Sequence, residues 1–60
     1  MPRRAHHLAK EFGVTLKDIV RAAEHGLGMQ IRSQNVLLKD DQIQAIRVSL
    51  THLGIQPGVS

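Results

Sequence analysis

Residues 8–20 read Leu-Ala-Lys-Glu-Phe-Gly-Val-Thr-Leu-Lys-Asp-Ile-Val. They spell one helix ending, a tight turn and a second helix beginning. Ala5, Leu8, Ala9 and Phe12 fall at i, i+3, i+4 and i+7, one apolar stripe along a helix. Gly13 follows where a left-handed residue without a Cβ ends a helix. Thr15 stands at the next N-cap, with Asp18 three residues on. The Thr15 hydroxyl accepts from the Asp18 amide, and the acid suits the positive helix end. A reciprocal bond from the Thr15 amide is less assured, because Asp is shorter than the usual Glu. Val14 and Ile19 are spaced as a hydrophobic staple across that cap.

Working outward, helix one is expected over Arg4–Phe12 and helix two over Leu16–His25. Leu16, Ile19, Val20, Ala23 and Leu27 make the buried side of helix two, with Ala22 at its edge. Gly26 and Gly28 bracket Leu27 and are read as the stop. Met29 to Leu38 reads as extended, with Ser33, Gln34 and Asn35 turning the chain between two short runs, a small hairpin or wing. Helix three is expected over Asp40–Leu53, from Ile43, Ile46, Leu50 and Leu53, with Gly54 and Ile55 as its stop. The predicted core is Leu8, Phe12, Ile19, Val20, Leu27, Ile31, Ile43, Ile46 and Leu50. The expected fold is mostly α: a small three-helix domain over residues 1–55, with a helix-turn-helix-like first pair and a short extended segment or β-wing. Residues 56–60 are expected as a flexible tail.

Ala9, Gly13 and Ile19 stand four and then six residues apart. In helix-turn-helix units a small residue, a turn Gly and a branched apolar residue at that spacing lock two helices, and the second helix meets the nucleic acid.

The same residues carry a resemblance. Leu-Ala-Lys-Glu-Phe-Gly-Val at 8–14, Lys17-Asp18-Ile19, Leu27-Gly28, Ile31-Arg32-Ser33, Leu38 and Asp40-Asp41-Gln42 resemble the small N-terminal module of bacterial translation initiation factor two. The likeness runs from about Ala5 to about Ile46 and departs at Lys39, where a Ser, Thr or Asp cap would be expected. The GTPase and tRNA-binding domains of that factor have no room in 60 residues. The resemblance implies a fold and a connection to nucleic acid or the ribosome, not initiation-factor activity.

Composition narrows the functional classes. Eight Lys and Arg against five Asp and Glu give a formal charge of +3, a modest excess compatible with phosphate partners. Phe12 is the only aromatic among Phe, Trp and Tyr, so bases have almost no stacking platform. There is no Cys, hence no disulfide framework and no thiolate site. Four His without paired carboxylates at ligand spacing predict no metal site, and no cofactor is expected. His6 and His7, adjacent on a helix, should point about 100° apart. No nucleophile–base pair and no Gly-rich phosphate loop appear, so no enzyme is expected. No apolar run approaches a membrane span, and no secretory signal follows Met1-Pro2-Arg3-Arg4. A cytoplasmic protein is expected.

Two classes remain. As a nucleic-acid module, the chain would draw phosphate contacts from Arg3, Arg4, Lys10, Lys17, Arg21, Arg32 and Arg47, with helix two and the extended segment after it as the main surface. Gln30, Gln34 and Asn35 would reach base edges if a wing enters a groove. The spacing leans to DNA and the resemblance to RNA. Arg47 is placed away from that surface. As a protein-interaction or ribosome-docking module, it would pair with a larger protein, or with a second copy through helix three and its unexplained Val48.

Overall fold

The computed structural model describes residues 1–55, so the tail expected over 56–60 lies outside the described residues. The elements run β1 (Arg3–Arg4), α1 (Ala5–Phe12), α2 (Leu16–Leu27), β2 (Leu37–Leu38) and α3 (Asp40–His52). The domain is mostly helical, with three helices and one two-stranded antiparallel sheet. No helix of the described residues is long and apolar enough to cross a membrane.

The turn between α1 and α2 forms as its residues dictate. Gly13 takes φ 67°, and its N–H reaches the carbonyls of Ala9 and Lys10, while the Val14 amide donates to Ala9 at 2.9 Å. These bonds satisfy carbonyls that a helix end otherwise leaves open. Thr15 caps α2 in both directions: its Oγ1 accepts from the Asp18 amide at 3.1 Å, and Asp18 Oδ2 accepts from the Thr15 amide at 3.2 Å. The shorter acid therefore completes the reciprocal bond. Ala9 and Ile19, the two lock residues, are both buried.

Helix α2 does not stop at His25. It continues to Leu27, and Gly28, at φ 62°, is the residue that ends it. Gly26 is helical and answers to packing instead. A Cβ there would overlap the Ser49 hydroxyl and lie 3.2 Å from the Ala45 carbonyl oxygen. Ala22, one turn earlier on the same side, is fully buried rather than at an edge. Small residues at 22 and 26 thus let α3 approach the α2 backbone closely, a second reason for Gly that its stop-signal reading hides.

The extended segment also differs from expectation. Its two runs do not pair with each other. Leu37 and Leu38 pair instead with Arg4 and Arg3, which form β1, and α1 begins at Ala5 rather than Arg4. Beyond the ladder the first two amides of α1 find acceptors on the same segment, Ala5 donating to the Val36 carbonyl at 3.1 Å and His6 to the Gln34 carbonyl at 3.1 Å. Ser33 to Val36 closes a turn through Val36 N–H to Ser33 C=O at 3.2 Å, and Ser33 Oγ accepts from the Asn35 amide. Two short runs cannot stabilise a hairpin alone. Pairing with the N-terminal arm seats β2 on the helices, because Leu38 then points into the core with no exposure.

Lys39 caps helix α3, its amide donating to Gln42 Oε1 at 2.8 Å. A Lys side chain has no acceptor, so only this half of a capping box forms. Asp41 Oδ1 takes the Gln42 amide at 3.0 Å in its place. At the far end Gly54, at φ 74°, turns the chain, and the Ile55 amide donates to Leu50 at 2.9 Å. The core is Ala5, Leu8, Ala9, Ile19, Ala22, Ala23, Ile31, Leu38, Ile46 and Leu50. Phe12, Val20, Leu27 and Ile43 are only partly buried and line its margin. Leu8, Ile19, Leu38 and Ile46 are the largest fully buried side chains, and Ala5, Ala22 and Ala23 fill the space between them without exposure.

Candidate nucleic-acid interface

Burial of Ile19, Ala22 and Ala23 turns the opposite side of α2 outward. Lys17, Asp18, Val20, Arg21 and Glu24 line a shallow depression there. Lys17 and Arg21 are exposed. Among the described residues the ion pairs are Met1 amine with Asp40 and Arg3 with Glu11, so neither Lys17 nor Arg21 is in one. Asp18 adjoins Lys17, and its carboxylate is engaged with the Thr15 amide. The cap thereby directs one negative charge to the helix end. Glu24 remains as the acid of this depression without a backbone partner.

A second polar cluster gathers where β1 meets the turn. Arg4 Nη1 donates to the Asn35 carbonyl at 3.4 Å, and Gln34 accepts from the His6 amide through its own carbonyl. The side chains of Gln34 and Asn35 are exposed beside Arg4. Arg32 is exposed on the connector just before this turn, and Gln30 is exposed two residues earlier. The α2 depression begins after the C-terminus of α1 and this cluster sits at its N-terminus. The eight residues of α1 between those two ends rise by about 12 Å.

Arg3 is not free in the same way. Its guanidinium donates to the Glu11 carboxylate. That hydrogen bond, with the attraction of the same charge, raises the Arg3 pKa above its ordinary value. Lys10 is exposed in the last turn of α1. Arg47 lines a different groove, with Glu11, Phe12, Leu50, Thr51 and Ile55 between α1 and α3. The juxtaposition of Arg4 with Asn35 joins residues far apart in sequence, and no local pattern signals it. The same holds for His25 and His52, whose rings meet at the ends of α2 and α3.

Comparison of the chain with protein-family models, with curated proteins and with solved structures finds no match.

Proposed function

We propose that this domain is a small cytoplasmic nucleic-acid-binding module, without catalytic activity, that holds phosphates on the outer side of α2 and on the connector after it. One observation carries the reading. The helix that follows the Gly13 turn carries Lys17 and Arg21, both exposed and outside any ion pair of the described residues. A cation already paired must break that pair before it meets a phosphate, whereas these two need not. Arg32, with Arg4 and the Gln34–Asn35 turn, extends the contact beyond the helix. The domain measures 25 × 20 × 20 Å. The major groove of B-DNA is about 12 Å wide, so the molecule spans one groove and its flanking phosphates. With two cations at the centre and Glu24 among them, one copy binds modestly. The resemblance read in the sequence from about Ala5 to about Ile46, to the N-terminal module of bacterial translation initiation factor two, would place it in the same class and leans to RNA.

Titration against double-stranded DNA, single-stranded RNA and a ribosomal subunit, each at two salt concentrations, tests this. The expected result is binding to at least one nucleic acid that weakens steeply with salt. Absence of binding to both free nucleic acids at low salt would reject the reading.

A second reading rests on α3. Val48 is 55% exposed and Leu53 38% exposed, apolar surface that a protein partner or a second copy would cover.

A further inference from the structure

We propose that His25 and His52 form a two-histidine site for a divalent transition-metal ion, of which Zn²⁺ is the reference case. Their ring centroids lie 6.3 Å apart with the planes tilted by 37°. Zinc binds imidazole nitrogen at about 2.0–2.1 Å, and two rings sharing one ion hold their centroids about 5–6 Å apart, depending on the N–metal–N angle. A small rotation about the side-chain torsions therefore brings both nitrogens onto one ion. Both residues are exposed, so the rings turn freely and an ion reaches them from solvent.

The backbone beneath the pair is fixed. His25 adjoins Gly26, and His52 stands one turn beyond Ser49, its contact across the helix crossing. The close α2–α3 approach thus sets the spacing before any ion arrives, which lowers the ordering cost of chelation. Each His lies in the last turn of its helix. The negative ends of two helices therefore converge on the position a cation would take. No third His, Cys, Asp or Glu joins a cluster among the described residues. The remaining coordination positions belong to water, so the site is open and weaker than a four-ligand structural zinc site. Along the usual stability order Cu²⁺ would bind more tightly than Zn²⁺.

The other histidine pair supplies the control. His6 and His7 are adjacent on α1 with ring centroids 4.3 Å apart, and they are the competing place for an ion.

The test is titration of the full chain with zinc chloride, followed by calorimetry and by the histidine ring signals in NMR. One zinc per chain is expected, with shifts at His25 and His52. His25→Gln and His52→Gln should each weaken binding by about tenfold or more, since each removes one of two ligands. The His6→Gln, His7→Gln double variant should bind like the parent. Because the substituted side chains are exposed, circular dichroism should show every variant folded. Zinc shifting His6 and His7 instead, or His25→Gln retaining the parent affinity, would overturn the assignment. So would a parent that shows no saturable binding.

Discussion

Gly26 of α2 and Ser49 of α3 stand so close that no side chain fits between them: a Cβ on residue 26 would overlap the Ser49 hydroxyl and lie 3.3 Å from the Ser49 Cβ. Gly26→Ala therefore sets two effects against each other. Alanine gains about 0.5–1 kcal/mol of helix propensity over glycine. Overpacking a closed crossing costs about 1–3 kcal/mol. Ser49 is 4% exposed, so its side chain has little room to yield, and the clash wins. The variant should lose about 1 kcal/mol or more in urea unfolding. Ser49→Gly added to it should restore most of that loss, and a double-mutant cycle would read the coupling.

Gly28→Ala isolates the other use of glycine. A Cβ there meets nothing within 4 Å, and φ is 62°. Only backbone strain remains, about 1–2 kcal/mol. No second-site change in α3 should rescue it. Rescue by Ser49→Gly would show that Gly28 too is held by packing.

Leu38→Ala should be more damaging than Phe12→Ala, against the size of the two side chains. Leu38 has no exposure, while Phe12 is only partly buried. Losing a fully buried Leu costs about 2–5 kcal/mol, enough to unfold a domain this small. Thermal unfolding of the two variants side by side gives the order directly.

These positions show where the fold was legible. The stop at Gly13 and the cap at Thr15 could be read because their signals are local, although the reciprocal bond from the Thr15 amide to Asp18 was left open by the shortness of the acid. The helices themselves follow from the apolar periodicity. The β1–β2 pairing was not legible, since Arg3 and Leu38 are neighbours only after the chain has folded. Gly26 was misread for a related reason. A glycine near a helix end looks like a stop, and only the partner helix reveals the packing role. Lys17 and Arg21 could be located because the buried side of α2 fixes its exposed side. The Arg4–Asn35 and His25–His52 meetings depend on tertiary contacts and left no trace in the local pattern.

Val48→Lys tests the second reading of function. Val48 is 55% exposed, so the change should alter monomer stability by no more than about 0.5 kcal/mol. Sedimentation at micromolar concentration then separates the cases. A dimer in the parent that is lost in the variant supports pairing through α3. A monomer in both removes it.

The most direct measurement of the central claim is the salt dependence of nucleic-acid binding in the Lys17→Ala, Arg21→Ala, Arg32→Ala variant. Each phosphate contact on duplex DNA contributes about 0.9 log units of affinity per tenfold change in salt. If these three side chains hold phosphates, the variant should keep its fold, bind more weakly at low salt and show a shallower slope than the parent. Arg47→Ala, on the groove between α1 and α3, should leave both nearly unchanged. A triple variant that binds with the parent's affinity and the parent's slope would contradict the account.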